Sequence, residues 1–76
     1  MEKQMIIKIS GIADVTKLAQ EAHYVDGDIY VKKGVYCTDG KSLMGLFSID
    51  MSGGATIIYP SDAIEFENYI KQFEVK

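Results

Sequence analysis

Histidine and cysteine, two side chains that often act as nucleophiles or metal ligands, occur once each in this 76-residue sequence and lie far apart. The sequence has one histidine, His23, and one cysteine, Cys37. Ser42 lies in the segment DGKSLMGLFSID, where it precedes an apolar run of about one helical turn. No Ser/His/Asp set, metal-ligand cluster or phosphate-binding glycine loop is present. The sequence therefore predicts a protein that is not an enzyme and that needs no metal or cofactor.

Ser42 is predicted to begin a short helix that continues to about Phe47. A serine hydroxyl at that position accepts a hydrogen bond from a backbone N–H two or three residues later. The same position suits a phosphate, which would bring about −2 of charge to the positive end of a helix. Lys41 adds a cation next to it. Helix capping and phosphorylation are compatible, and the residues leave both open.

Composition predicts one small globular domain, residues 1–76, because 47% of the residues are hydrophobic and the net charge is only −3. The basic residues are scattered, which argues against nucleic acid as a partner. No segment is apolar and long enough for a signal peptide or a membrane span, so we expect a cytoplasmic protein with no membrane partner. In a reducing cytosol, Cys37 is expected to be a partly buried strand residue rather than a reactive thiol.

Hydrophobic periodicity predicts the order strand, helix, two strands, short helix, strand, helix. The predicted strands are 5–9, 29–32, 35–38 and 55–59. The predicted helices begin near 14, at 42 and at 61, and the last ends at about 73. A flexible connection is expected at 52–54. This order predicts an α+β open-faced sandwich, in which three helices, two long and one short, cover one face of a four-stranded antiparallel sheet.

Two helix starts and two core faces are predicted in more detail. Asp14 is expected as the N-cap or as an acid in the first turn of the first helix. Asp62 and Glu65 have the spacing of a capping box at the start of the last helix. Apolar residues at helical spacing are expected to face the core in the first helix (Val15, Leu18, Ala19, Ala22) and in the last (Phe66, Tyr69, Ile70, Phe73).

The run KSLMGLFSI, residues 41–49, resembles the second-helix region of HPr, the phosphocarrier of the bacterial sugar phosphotransferase system. The similarity is greatest to HPr of low-GC Gram-positive bacteria. It continues through GATII at 54–58 and covers LAQEA at 18–22 and DIYV at 28–31. The resemblance implies an HPr-like open-faced β-sandwich over essentially the whole chain.

The sequence departs from HPr at the phosphorelay site. HPr carries its phosphoryl group on a histidine just before the first helix, in a GLHARPA-like segment. The corresponding region here reads SGIADVT at 10–16, so that Gly11, Ile12 and Ala13 mark a degenerate relay site. His23 is a poor substitute, because it is predicted near the C-terminal end of the helix, where carbonyls repel an anion. Asp14 lacks the neighbouring acids that a phosphoaspartate site needs.

The resemblance also implies a use for Ser42. In Gram-positive members of the family, the serine of this run is phosphorylated by HPr kinase, and the product binds transcriptional regulators in carbon catabolite control. A paralogue, Crh, lacks the histidine but keeps the serine, and this sequence is similar to it in that respect. We therefore expect a non-catalytic HPr-like regulatory protein with protein partners: HPr kinase, phosphotransferase components or a transcriptional regulator. Two alternatives remain: a phosphocarrier using His23 or Asp14, or a structural domain unrelated to sugar transport.

The short helix is also a candidate partner surface. In HPr the corresponding apolar patch docks partner proteins. A single turn cannot bury apolar side chains on every side, so some must be exposed. We expect Leu43 and Leu46 to pack on the sheet, and Met44 and Phe47 to contact a partner together with Lys41.

Overall fold

Within residues 1–75, which the computed structural model describes, the chain forms a four-stranded sheet and three α-helices. The strands are β1 (Glu2–Ile7), β2 (Tyr30–Lys33), β3 (Tyr36–Asp39) and β4 (Ala55–Pro60). The helices are α1 (Ile12–His23), α2 (Leu43–Phe47) and α3 (Ile64–Ile70), and two 3-10 turns occur at Met51–Gly53 and Lys71–Phe73. This is the predicted order of elements. None of these helices is long and apolar enough to cross a membrane.

The sheet has the strand order β1-β4-β2-β3, and every neighbouring pair is antiparallel. Ile57 of β4 lies opposite Met5 of β1 and Val31 of β2, and all three side chains are buried. Because side chains alternate along a strand, residues one position away, such as Ile6, point to the other face, where Ile6 is exposed. The core lies between one face of the sheet and the helices, which confirms the predicted open-faced α+β sandwich.

Helix α1 has the predicted buried stripe: Val15, Leu18, Ala19 and Ala22. It begins earlier than expected, at Ile12, with Gly11 as an extended N-cap that has no side-chain cap. The alternative of Asp14 as the N-cap is therefore wrong. Asp14 is instead the acid in the first turn, where a carboxylate suits the positive end of the helix dipole.

Several strand details differ from the prediction. β1 begins at Glu2 because β4 pairs with it over six residues, from Pro60 back to Ala55. β3 begins at Tyr36, since Gly34 has a φ of +60° and the turn extends one residue beyond it. Cys37 was expected to be partly buried, but it is exposed. It lies opposite Lys32 on the open face of the sheet.

The predicted capping box at the start of α3 is wrong. The N-cap is Ala63, and no side chain caps the helix. The backbone makes a turn first, in which Ala63 N donates to Pro60 O at 3.1 Å and Ile64 N donates to Asp62 O at 2.9 Å. This turn moves the start of the helix past Asp62, so its carboxylate and that of Glu65 are not placed to cap it.

The apolar stripe of the last helix packs on the core as predicted. Phe66 and Ile70 are buried, and Tyr69 and Phe73 are partly buried against the core. Phe66 contacts Tyr59 of β4 edge to face, with ring centroids 6.1 Å apart. The regular α-helix ends at Ile70, so that Phe73 lies in the following 3-10 turn.

Candidate functional site around helix α2

Ser42 is the N-cap of α2, as predicted. Its backbone is extended (φ −95°, ψ 110°), and its Oγ accepts a hydrogen bond from Gly45 N at 3.2 Å. Its own N–H donates to Asp39 O at 3.0 Å, and its carbonyl accepts from Leu46 N at 3.0 Å. Ser42 is thus fixed by hydrogen bonds from β3 and from α2, while its side chain is only half-buried.

Gly45 brings α2 very close to the sheet, a role that the sequence did not reveal. A Cβ added at Gly45 would overlap Oγ1 of Thr38 on β3 and would lie 3.2 Å from the Cβ of Thr38. It would also lie 3.3 Å from Ser42 Oγ. Only glycine allows this approach without a shift of the neighbouring side chain, and the approach fixes where Ser42 lies.

Lys41 contacts the loop after α1. Its Nζ donates to the backbone carbonyl of Val25 at 2.8 Å, and its backbone N–H donates to Asp39 Oδ1 at 2.9 Å. The sequence suggested a cation next to a Ser42 phosphate, but here the ammonium is engaged by a carbonyl sixteen residues away. A role for Lys41 in partner binding stays a prediction.

The apolar side chains of α2 divide between core and solvent. Leu46 is fully buried, whereas Met44 is 85% exposed and Phe47 is 49% exposed. Their expected exposure is confirmed, and their contact with a partner stays a prediction. Leu43 was expected to pack on the sheet, but it is 38% exposed. Helical side chains lean toward the N-terminus, so the side chain of the first residue extends past the end of the helix.

Residues 11–13, which the resemblance to HPr marks as a degenerate relay site, lie directly beside α2. Gly11 and Ile12 line a shallow pocket of about 260 Å³ together with Leu46, Phe47 and Asp50. Ile12 is 75% exposed, and Ala13 next to it is also exposed. The structure thus brings Gly11 and Ile12 close to the exposed Phe47, whereas Leu43 and Met44 do not line this pocket. We use the term α2 surface for Ile12, Leu43, Met44 and Phe47.

Asp50 structures the loop after α2. Its Oδ1 accepts hydrogen bonds from Ser52 N at 3.1 Å and from Ser52 Oγ, and Lys33 Nζ lies 3.9 Å from its other carboxylate oxygen. The pKa of Asp50 is lowered most by the hydrogen bond from the Ser52 hydroxyl. The hydrogen bond from Ser52 N and the charge of Lys33 lower it further. The expected flexible connection is therefore a capped 3-10 turn at Met51–Gly53.

The two alternative phosphoacceptors lie at opposite ends of α1. Asp14 is in the first turn, and His23 is the last residue and is exposed. Nine residues at 1.5 Å per residue separate them by about 13 Å along the axis. His23 therefore lies at the C-terminal end, as predicted, away from the degenerate relay site. No group of three acidic, histidine or cysteine side chains in residues 1–75 is arranged to bind a metal ion.

Tyr59, a buried tyrosine on the helix-covered face of β4, has a structural role. Tyr59 OH donates to Glu67 Oε2 at 2.6 Å, and Lys3 Nζ lies 3.2 Å from the same oxygen. Burial, followed by the bond to Glu67, raises the pKa of the Tyr59 hydroxyl. The hydrogen bonds from Tyr59 and Lys3 lower the pKa of Glu67. The network ties α3 to both β1 and β4.

Comparison with known proteins identifies the fold. No family model matches the sequence, and no curated protein does. Among solved structures, the phosphocarrier protein HPr from Bacillus anthracis str. Ames is 24% identical, with a TM-score of 0.74 over 97% of this chain and 98% of that chain. HPr-C-His from Thermoanaerobacter tengcongensis is 23% identical, with a TM-score of 0.68 over 95% of this chain and 88% of that chain. These similarities show the HPr-like fold.

Proposed function

We propose that this chain is a non-catalytic, HPr-like cytoplasmic protein that binds other proteins through the α2 surface, and that phosphorylation of Ser42 regulates this binding. The observation that carries the proposal is the placement of Ser42. It caps the helix that exposes Met44 and Phe47, and that helix lies beside the segment at 10–16, which has no histidine.

The degenerate relay site favours binding over phosphoryl transfer. Gly11, Ile12 and Ala13 have no nucleophilic side chain, and Ile12 in this segment is exposed. An exposed apolar side chain next to Phe47 enlarges the apolar area available to a partner. The same residues that remove the carrier activity thus add to a docking surface.

A phosphate on Ser42 would change this surface strongly. It would add between about −1.5 and −2 of charge one residue from Leu43 and two from Met44. A phosphate oxygen can still accept the hydrogen bond that Gly45 N now donates to Ser42 Oγ. The Lys41 ammonium uses one of its three N–H donors on the Val25 carbonyl, so two remain for a phosphate oxygen. The modification would therefore add a strong negative charge beside an apolar surface. The proposed readers are proteins: HPr kinase, phosphotransferase components or a transcriptional regulator.

Phosphorylation assays test the proposal. Incubation with ATP and an HPr kinase should give one acid-stable phosphate per chain, which Ser42→Ala abolishes. Ser48→Ala is the matched control, because Ser48 lies at the other end of the same helix, where its Oγ donates to Gly45 O at 2.6 Å. This variant should still be labelled fully. Incubation with phosphoenolpyruvate and enzyme I should give no label.

Two results would favour the alternatives. An acid-labile label from phosphoenolpyruvate would support a phosphocarrier, and His23→Gln and Asp14→Asn would then identify the acceptor. No label from either donor would support a structural domain. A third arm tests docking: Phe47→Ser should slow labelling by the kinase, whereas Val35→Ser, which changes a 93% exposed residue in the β2–β3 turn, should not.

A further inference from the structure

A second groove lies between the C-terminal end of α1 and the start of α3. Its volume is about 530 Å³, and it is lined by Glu21, residues 24–26 and residues 62–66. None of these residues belongs to the α2 surface. We call it the α1–α3 groove. Its size is within the range of about 300–1,000 Å³ that is typical of ligand-binding clefts.

The lining of the groove is strongly acidic. Four carboxylates line it, and no lysine, arginine or histidine does: Glu21, Asp26, Asp62 and Glu65. Among the side chains of residues 1–75, none donates a hydrogen bond to these four carboxylates and none forms a salt bridge with them. The ammonium of Lys41 donates a hydrogen bond to the carbonyl of Val25, which lines the groove. Its single positive charge offsets at most one of the four negative charges. A cleft lined by one sign of charge concentrates ions of the opposite sign.

The groove also offers apolar contacts. Tyr24 is 84% exposed, Ile64 is 56% exposed, and the buried Phe66 contributes to the wall between them and the core. An aromatic face open to solvent attracts guanidinium and ammonium groups, and Ile64 can contact their aliphatic stems or a neighbouring apolar side chain. No three potential ligands in residues 1–75 are arranged for a metal ion, and the exposed Tyr24 and Ile64 suit a cation with an organic stem.

We propose that the α1–α3 groove binds a basic segment of a partner protein, with two or more arginine or lysine side chains and one apolar side chain. The carboxylates recognise the cations, Tyr24 stacks on one of them, and Ile64 contacts the apolar side chain. Since exposed charges dominate this recognition, binding is weak and strongly dependent on salt. The proposal does not depend on Ser42 or on the α2 surface.

A peptide titration tests the proposal on the full chain. The probe is the capped peptide Arg-Leu-Arg-Arg, added to the isotope-labelled protein while backbone amide shifts are followed by NMR. We expect saturable shifts confined to residues 21–26 and 62–66, with a Kd that rises by about threefold or more between 50 and 300 mM salt. The double variant Asp62→Asn, Glu65→Gln should weaken binding by about fivefold or more, because half of the carboxylates are removed.

The matched control removes the same charge elsewhere. Glu2→Gln with Glu74→Gln changes two exposed carboxylates outside the groove and should leave the Kd within about twofold. Equal weakening by both double variants would overturn the proposal, since net charge alone would explain the binding. So would shifts that map elsewhere, equal binding of the neutral peptide Gln-Leu-Gln-Gln, or no saturable shift. If the amide shifts of the groove residues change with protein concentration in the absence of peptide, the groove binds a second copy of the chain. That result would also overturn the proposal.

Discussion

Replacement of Gly45 by alanine should destabilise the protein, although alanine is the better helix former. In an exposed helix interior, glycine to alanine stabilises by about 1 kcal/mol. At Gly45, however, the new methyl group would overlap Oγ1 of Thr38 and lie 3.2 Å from its Cβ. The added methyl group thus raises helix propensity but overlaps Thr38. The sign of the change in the free energy of unfolding therefore tests how tightly α2 packs on β3.

The magnitude follows from the cost of relieving that overlap. Thr38 must change rotamer or α2 must move away from β3, and overpacking of this kind costs about 1–3 kcal/mol. A movement of α2 would also strain the 3.2 Å bond from Gly45 N to Ser42 Oγ. The middle of that range is about 2 kcal/mol, and the gain in helix propensity is about 1 kcal/mol, so we expect a net loss of about 1 kcal/mol in the free energy of unfolding. In a domain of this size, that loss lowers Tm by roughly 4–8 °C.

Urea and thermal unfolding, followed by circular dichroism, measure this change, and Thr38→Ala supplies the control. Thr38 makes no side-chain hydrogen bond among residues 1–75, so truncating it removes the overlapping oxygen at little cost. In the Thr38→Ala background, Gly45→Ala should be neutral or stabilising. Equal or greater stability of the single Gly45→Ala variant would refute the reasoning. An identical loss in both backgrounds would refute it as well, because the contact with Thr38 would then not be the cause.

Three further predictions concern the cap, the core and the pH dependence. Ser42→Ala should lower the free energy of unfolding by about 1 kcal/mol and Ser42→Gly by only a few tenths, since glycine is a better N-cap than alanine. Urea unfolding measures both, and a greater loss for Ser42→Gly than for Ser42→Ala would contradict the prediction. Leu46→Ala should lower the free energy of unfolding by about 2–5 kcal/mol, whereas Met44→Ala on the same helix should change it by less than about 0.5 kcal/mol. Similar losses in the two variants would show that these side chains are not divided between core and solvent. The pKa of Glu67 is held below its ordinary value of 4.5, first by the Tyr59 hydroxyl, so its carboxylate stabilises the fold above about pH 4.5 and this contribution is lost as pH falls through the lower folded value. Tyr59→Phe should therefore lower Tm at pH 7 and flatten the decline of Tm between pH 5 and pH 3; an unchanged decline would show that this bond does not set the pKa.

The fold could be predicted because its determinants are local and periodic. The buried stripe of α1 and the alternation around Ile57 follow directly from the spacing of apolar residues. The errors occur where one local signal competes with another. Asp62 has the chemistry and the spacing of an N-cap, but the turn after Pro60 decides where α3 begins.

The candidate site was only partly predictable for a related reason. Ser42 was found because an N-cap depends on residues three positions apart. The roles of Gly45 and Lys41 depend on Thr38 and Val25, which reach them only through tertiary packing. A tight approach between a helix and a strand leaves no periodic trace in the sequence, apart from a glycine inside a predicted helix.

The α1–α3 groove escaped prediction because its carboxylates are distant in sequence. Glu21 and Asp26 flank the end of α1, whereas Asp62 and Glu65 precede or begin α3, about forty residues later in the chain. Each pair alone resembles an ordinary solvated end of a helix. Only the packing of α1 against α3 places all four carboxylates around one groove.

Residues 11–13 can vary without loss of core packing, and this supports the proposed binding role of the α2 surface. Ile12 and Ala13 are exposed and Gly11 is half-buried, so none of the three contributes a buried side chain to the core. Ser42 and Gly45, in contrast, hold α2 against β3 whether or not a phosphate is ever added. Residues 11–13 can therefore vary in sequence while Ser42 and Gly45 keep the helix beside them in place. The proposed binding role requires such a surface, because its shape must be kept while its side chains suit a new partner.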